Sequence, residues 1–396
     1  MNALTQPDLS QLGLSQKAWS WFSQALTQHN SFSGYFQPLI QMIVPQWTTD
    51  AYRAQVVEIR DEMADMYTLV LKPQTGLIDR QWPAFVAGQF IELMVEKDGA
   101  RTLRCFSISS SPAYYQKTGL IELSIRIQQQ GRITPWIRQQ LEPGSLVNIS
   151  QAQGDFVLPE AMLYSQKTEK LLLIAGGSGI TPFRSMLQQQ VMQQQAINKS
   201  MSESPPQLDI HLLYYSRDDQ QVAFQQELEQ LQQDYQNLTI SFVDSEKEGF
   251  INSQHLQNYC ADYAQRTAFI CGPSPMIQQA RKVLAELDVA NDKINFEFFG
   301  AAPIEIENSE QGVVLFQTSE KTLVSEKDKT NTLLEQAEEM GIQPVSGCRI
   351  GVCHQCICKK KSGVVFNTRT QEYSDTGSEE IQLCISVAQG DVVLDL

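Results

Sequence analysis

Apolar and polar positions alternate with a period of two in six short runs between residues 51 and 160: AQVVEIRDE, YTLVLKP, GQFIELMVEKDG, CFSISSSP, GLIELSIRI and GSLVNIS. Turn residues break each run from the next, and evenly spaced short strands of this kind predict an antiparallel β-barrel. A single short helix, GRITPWIRQQL, interrupts them, with Pro135 placed for its first turn. From about residue 165 the pattern changes. LLLIAGG is apolar throughout, as a strand buried on both faces would be, and strands at LDIHLLYYS, LTISFVD and RTAFICG alternate with helical stretches at TPFRSMLQQQVMQQ, VAFQQELEQL, SQHLQNYC and MIQQARKVLAEL. Strict alternation of strand and helix predicts a doubly wound α/β domain over residues 165–302. Residues 303–311 read as a linker. From residue 312 to 396 the chain offers strands at GVVLFQT and KTLVSE, a helix at TNTLLEQAEEMG capped by Thr330 or Asn331, and a final strand at DVVLDL. Residues 1–50 differ from the rest. Trp19, Phe22 and Leu26, then Phe36, Leu39, Ile40 and Ile43, recur at helical spacing, and the region reads as an amphipathic helical arm packed on its neighbour.

Composition narrows the function classes. A length of 396 residues suits about three domains, and no apolar run approaches the roughly 20 residues that cross a bilayer. A net charge of −15 would repel phosphate backbones, so nucleic acid is not an expected partner. The opening MNALTQPDLSQLGLSQ has neither the basic nor the apolar region of an export signal, so a cytoplasmic location is expected, peripheral to the inner face of a membrane if the arm docks there. In a reducing compartment cysteines serve as metal ligands or free thiols more often than as disulfides. Five of the eight cysteines lie between positions 348 and 384.

Cys348, Cys353 and Cys356 have four and then two residues between them, and Cys384 follows after 27 more. This is the ligand spacing of a plant-type 2Fe-2S cluster. Glycines at 347 and 351 let the loop wrap closely around the sulfurs. A four-thiolate zinc site is the rival, but such sites pair two C-x2-C knuckles and the second is missing here. Cys358, two residues beyond Cys356, is expected to be a free thiol.

Three further motifs recur in order: Arg104-Cys105-Phe106-Ser107 after a strand, Gly176-Gly177-Ser178-Gly179-Ile180-Thr181-Pro182 at a strand-to-helix junction, and Cys271-Gly272-Pro273. Glycines at such a junction allow backbone amides to approach a pyrophosphate. The fit to a Rossmann dehydrogenase is poor, because Pro182 stands where a third glycine belongs and no acidic residue ends the next strand. In this order the motifs resemble the ferredoxin-NADP reductase superfamily, and SGCRIGVCHQC near the C-terminus resembles the ferredoxin family with its β-grasp fold. The resemblance implies a multidomain α/β and β chain: an FAD-binding antiparallel β-barrel, an NAD(P)H-binding domain and an α+β 2Fe-2S domain.

By the same resemblance, Arg104 binds the flavin phosphates, Phe106 packs on the isoalloxazine and Ser107 hydrogen-bonds near its hydride-accepting nitrogen. Gly131, Arg132 and Thr134 match a second phosphate-binding stretch. Gly176, Gly177, Gly179 and Thr181 belong to the nucleotide turn, Cys271 lies beside the nicotinamide, and Gly272 and Pro273 shape its pocket. The family usually has Tyr where Phe106 stands. FAD suits the Gly131 stretch better than FMN. Ser216-Arg217 closes a strand where an arginine pairs with a 2′-phosphate, which favours NADPH over NADH, although Asp218 and Asp219 oppose it.

The implied reaction is NAD(P)H oxidation. Flavin converts a two-electron hydride into single electrons for a cluster of potential near −400 mV, a value typical of the plant type. Four histidines with no paired motif give the chain no oxygenase centre of its own, so the acceptor is a redox partner protein. Together with AGQF, QGDFVLP and MIVPQW before the barrel, the motifs resemble most the electron-transfer partners of stearoyl-CoA desaturases. Reductases of ring-hydroxylating oxygenases and of hybrid-cluster proteins share the domain order. A non-catalytic carrier or sensory protein built on these modules is the reading of another class; residues 1–50 are too few for a globin.

Overall fold

The computed structural model describes residues 52–74, 81–97, 100–128, 131, 133–200, 208–217, 222–299, 312–324, 331–349, 351, 354–370 and 372–396. The N-terminal arm, Arg132, Asp218, Asp219, Cys353 and residues 300–311 lie outside them.

The described strands form three sheets. The first contains β1 (Tyr52–Met63), β2 (Met66–Pro73), β3 (Phe90–Lys97), β4 (Ala100–Ser107), β5 (Ile121–Arg126) and β6 (Leu146–Ile149), in the order β4-β3-β6-β1-β2-β5. A bridge between Ile108 and Leu123 joins its two edges and closes the barrel. Inward residues of the alternating runs fill it: Leu69, Leu71, Ile91, Leu93, Ile121 and Leu123 are all fully buried. Each contributes on the order of 2 kcal/mol relative to exposure. Two short helices break the strands. One is the expected α2 (Thr134–Gln140). The other, α1 (Pro112–Thr118), replaces what the sequence suggested was a plain turn: Ser111 caps it by accepting the Tyr114 amide, Pro112 occupies its first turn, and Gly119 ends it at φ 71°.

The second sheet is wholly parallel. It contains β7 (Lys170–Gly176), β8 (Asp209–Ser216), β9 (Leu238–Asp244), β10 (Thr267–Gly272) and β11 (Ile294–Phe298), in the order β11-β10-β7-β8-β9. The apolar run of β7 is explained by burial on both faces. Leu171 and Leu173 pack with Phe183 and Leu187, whereas Leu172 and Ile174 pack with Ile277, Ala280 and Leu284. Those partners come from α4 (Ile180–Ser200) and α7 (Ser274–Glu286), which flank the sheet with α5 (Gln225–Asp234) and α6 (Ser253–Tyr259). A short α3 (Glu160–Leu163) precedes β7.

The third sheet is mixed: β12 (Val313–Phe316), β13 (Lys321–Val324), β14 (Ile357–Asn367), β15 (Glu372–Tyr373), β16 (Glu379–Gln382) and β17 (Ser386–Leu394). Helix α8 (Leu333–Glu339) packs on it through Leu333, Leu334 and Ala337. Its cap is Thr332 rather than Thr330 or Asn331, because Thr332 and Glu335 form a reciprocal capping box. No helix among the described residues is long and apolar enough to cross a membrane.

Candidate functional site

Strand β4 carries the first motif. Phe106, opposite Ile91 on β3, packs against the barrel core. The next residue, Ser107, is 5 % exposed, and its hydroxyl oxygen has no hydrogen-bond partner. Buried hydroxyls are normally satisfied, so this one is available to a polar group on an incoming ring. Arg104 is half-buried. Burial, then the like charge of Arg349, holds its guanidinium below the usual arginine pKa, a strain that an anion such as a phosphate would relieve. Its Nη1 donates to the carbonyls of Leu103 at 2.8 Å and Gly347 at 3.1 Å. The second stretch lies beyond β5. The Gly131 amide donates to the Gln128 carbonyl at 2.7 Å, and Thr134 accepts the Gln128 amide on Oγ1 at 2.9 Å and the Tyr67 hydroxyl on its carbonyl at 3.2 Å.

At the end of β7, Gly177–Gly179 form one 3-10 turn that leads into α4. Gly177 sits at φ 54°, its carbonyl accepts the Tyr214 hydroxyl at 3.1 Å, and a Cβ there would meet Arg126 Nη1 at 2.6 Å. Gly179 presses on β10: a Cβ would lie 2.1 Å from the Cys271 carbonyl oxygen. Both positions need glycine, the first for its left-handed backbone and the second for contact with the neighbouring strand. Thr181 ties the turn by donating Oγ1 to the Ser178 carbonyl at 2.9 Å. The backbone cradle therefore fits a pyrophosphate-bearing nucleotide.

Cys271 is fully buried beneath this turn, and burial pushes its thiol well up. Gly272 and Pro273 follow directly and lead into α7. Glu297 on β11 is the register partner of Cys271. Desolvation pushes its carboxyl up to about 8, against a weaker opposing pull from Arg369, and Oε2 has no hydrogen-bond partner. At the far end of β8, Ser216 pairs in register with Asp244, and Arg217 is exposed to solvent. Asp244 accepts the amides of Glu246 and Lys247 and pairs with the Lys247 ammonium at 2.9 Å, so it is committed to its own turn.

Of the four spaced cysteines, Cys348, Cys356 and Cys384 are buried within the third sheet's core or at its margin, and Cys353 lies outside the described residues. Cys384 occupies a 3-10 turn, Leu383–Ile385, between β16 and β17. That turn closes on Cys356. The Leu383 amide donates to the Cys356 carbonyl at 3.0 Å, and the Cys384 amide donates to the Cys356 sulfur at 3.5 Å. Hydrogen bonding from Cys384 lowers the Cys356 thiol to about 7, while the same contact pushes Cys384 up. Metal coordination needs thiolates, and amides aimed at sulfur favour them. Gly351, at φ 77°, lets the loop lie against Ile385, where a Cβ would fall 2.6 Å from Cδ1. Its carbonyl accepts Arg369 Nη1 at 2.9 Å and Gln382 Nε2 at 3.1 Å. Among the described residues the structure brings Cys356 and Cys384 together and groups no third ligating side chain with them; that pair, with an amide aimed at sulfur, fits the thiolate chemistry of an iron–sulfur cluster. Cys358 is turned away, 3.8 Å from the carbonyls of Lys359 and Asp395, and burial pushes its thiol up to about 11.

Three charged groups here escaped the reading of the sequence. Glu297 lies between Phe296 and Phe298 and Glu122 between Ile121 and Leu123, and alternation alone gives either no signal beyond an ordinary strand position. Arg184 sits inside the buried face of α4, where Ile180, Phe183, Met186 and Leu187 surround it.

Comparison with known proteins agrees with this geometry. Residues 63–158 match the model of the oxidoreductase FAD-binding domain, residues 173–282 that of the oxidoreductase NAD-binding domain, and residues 316–389 that of the 2Fe-2S iron-sulfur cluster binding domain. An NADPH oxidoreductase of Mycobacterium tuberculosis is 28 % identical over 352 residues, covering 89 % of this chain and 86 % of its own. The ferredoxin reductase component of 3-ketosteroid-9-alpha-monooxygenase from the same species is 27 % identical over 326 residues, covering 78 % of this chain and 85 % of its own. Among solved structures, phthalate dioxygenase reductase superposes with a TM-score of 0.55 at 20 % identity, over 87 % of this chain and 98 % of that one. FAD, a pyridine nucleotide and a 2Fe-2S cluster are thus the cofactors, and the protein is an NAD(P)H-dependent flavin and iron–sulfur oxidoreductase. The chain belongs to the ferredoxin-NADP reductase superfamily and carries a C-terminal 2Fe-2S ferredoxin domain.

Proposed function

We propose that the protein delivers electrons from NADPH to a partner oxygenase, the membrane fatty-acyl desaturases being the favoured class. When bound, FAD takes a hydride from the nucleotide and gives up single electrons to the cluster. The chain's own residues hold these groups in order. Arg104, Gly131, Arg132 and Thr134 bind the flavin phosphates, Phe106 supports the ring and the free Ser107 hydroxyl meets its polar edge. The turn from Gly176 to Thr181 seats the nucleotide pyrophosphate, Cys271 with Gly272 and Pro273 bounds the nicotinamide pocket, and Ser216 with Arg217 takes the 2′-phosphate. Cys348, Cys353, Cys356 and Cys384 ligate iron.

The observation that carries this reading is the hydrogen bond from Arg104 on the flavin strand to Gly347, beside the first cluster cysteine. It places one motif against the other with no intervening element. The desaturase assignment rests on the likeness of AGQF, RCFSISSSP and QGDFVLP to desaturase partners. A soluble oxygenase is the second reading, favoured by relatives named as monooxygenase reductases. Reconstitution decides between them. The holoenzyme with NADPH is supplied to desaturase-containing membranes, to a soluble ring-hydroxylating oxygenase and to cytochrome c. Fatty-acyl desaturation is the expected outcome, and turnover confined to the soluble oxygenase would transfer the assignment to the second reading.

A further inference from the structure

Arg184 lies one turn beyond the nucleotide turn on α4 and is 5 % exposed. Its guanidinium reaches out of its own domain. Nη1 donates to Glu122 Oε2 at 2.7 Å, to the Ser109 carbonyl at 3.2 Å and to the Ser109 hydroxyl at 3.4 Å. Nε donates to both carboxylate oxygens of Glu227, at 2.9 and 3.1 Å, and the Phe224 ring lies 4.5 Å from the guanidinium carbon. Glu122 is itself held from the other side by Arg60 at 2.7 Å. The rest of the helix repeats the pattern. Ser185 Oγ donates to the Ser110 carbonyl at 2.7 Å, Gln188 accepts the Ser111 amide at 2.9 Å, and Gln189 accepts the Ala113 amide at 2.9 Å.

Each of these barrel partners lies on β5 or in residues 109–113, which continue from Ser107 with one residue between. Helix α4 is therefore a strut. One end is the glycine turn, and its flank is pinned to the backbone that follows the flavin strand. A buried ion pair is a poor way to gain stability, because desolvating both charges offsets most of their attraction. What a forked guanidinium between two fixed carboxylates does supply is orientation.

We propose that Arg184 is a positioning residue for hydride transfer: through Glu122 and Ser109 it sets the distance and angle between the nicotinamide and the flavin ring. The inference rests on the cofactor placements given under Proposed function. The step it serves moves one hydride, with both bonding electrons, from NADPH to the flavin and leaves NADP+. Arg184 itself is spent on Glu122, Ser109 and Glu227 and acts through them.

The test uses the full chain loaded with FAD and compares Arg184→Lys, Arg184→Met and the double variant Arg184→Met/Glu122→Met. Anaerobic rapid mixing with NADPH reads the rate of flavin bleaching, its isotope effect with 4-deuterated NADPH, and the long-wavelength charge-transfer band of stacked nucleotide and flavin. Hydrogen–deuterium exchange at residues 109–113 in flavin-free protein reads the strut directly. Because misplacement by about 1 Å can slow a reaction roughly hundredfold, bleaching is expected to slow about 30- to 100-fold in Arg184→Met and the double variant, with KM changed less than about threefold. The charge-transfer band should weaken and exchange at 109–113 should quicken. Arg184→Lys keeps the charge and the fold, so an intermediate loss in that variant supports the proposal even where Arg184→Met does not fold. Should the variants lose melting temperature yet keep the wild-type rate and band, Arg184 is structural only and the proposal fails. Wild-type protein whose bound flavin is not bleached by NADPH would overturn the cofactor placements, and this inference with them.

Discussion

Arg104 and Gly347 stand 243 positions apart in sequence and 3.1 Å apart in space, joined from guanidinium to carbonyl. The bond ties β4 to the loop that carries Cys348, so on the proposed assignment of Arg104 to the flavin one side chain touches both halves of the electron path. Arg104→Met should therefore have two separable effects. FAD retention on gel filtration falls, by about tenfold in affinity for one lost charge-assisted contact to phosphate. Protein reloaded with excess FAD still passes electrons to its cluster more slowly than wild type, which rapid mixing followed at flavin and cluster wavelengths reads. Equal cluster reduction after reloading would confine Arg104 to the flavin.

Cysteine substitutions distinguish ligands from bystanders. Cys384→Ser should abolish the cluster's absorption and EPR signal while bleaching of the flavin by NADPH continues. Cys358→Ser should leave both intact, because that sulfur faces the carbonyls of Lys359 and Asp395 rather than the other cysteines. An iron content equal to wild type in Cys384→Ser would remove Cys384 from the ligand set.

The ferredoxin domain depends on one buried cation. Lys360 is fully buried and donates to the carbonyls of Gly363, Asp375 and Gly377 at 2.8, 2.7 and 2.6 Å, with Glu379 at 3.1 Å. Lys360→Met removes the shared donor of three carbonyls, of which those of Asp375 and Gly377 belong to exposed residues, a loss of about 1–3 kcal/mol. Urea unfolding followed by the cluster's visible absorption measures it. A change below about 1 kcal/mol would mean that water replaces the ammonium.

Glu297 gives the protein a definite pH dependence. Burial raises its carboxyl from 4.5 to about 8. Between those values the folded chain holds a proton that the unfolded chain has released, so stability falls as pH rises through this window and levels off above it. Glu297→Gln removes the titration. The variant should gain on wild type as pH rises, by on the order of 4–5 kcal/mol across the window at about 1.4 kcal/mol per pH unit, and the difference should shrink towards pH 5. Denaturant midpoints at pH 5, 6.5 and 8 supply the comparison, and parallel curves for the two proteins would contradict it.

Much of the fold was legible because burial leaves a periodic signature. The unbroken apolar run of β7 announced a strand covered on both faces, and Leu171 to Ile174 are covered in that way. Helix α1 went unseen because Ser110-Ser111-Pro112 reads equally well as a turn or as a cap followed by proline, and only Gly119 downstream separates the two. The cap of α8 was displaced for a similar reason. Thr330, Asn331 and Thr332 are all competent, and Thr332 wins through Glu335 three residues on. The motifs marked Ser107, Gly177 and Cys271 because special backbone or chemistry at those points restricts residue choice. Arg184 with Glu122, and Arg104 with Gly347, could not be read. Each is a pairing across domains, and a single chain carries no periodicity that relates positions 62 or 243 residues apart.

One titration tests the central claim, that electrons enter at the nucleotide turn and leave through the cysteine cluster. Purified protein is titrated anaerobically with NADPH while absorption and EPR are recorded together. Flavin bleaching should be followed by the EPR signal of a reduced 2Fe-2S cluster, with the signal absent and bleaching retained in Cys384→Ser. Colourless protein that retains zinc, or flavin fully reduced beside a competent cluster that never accepts an electron, would contradict it.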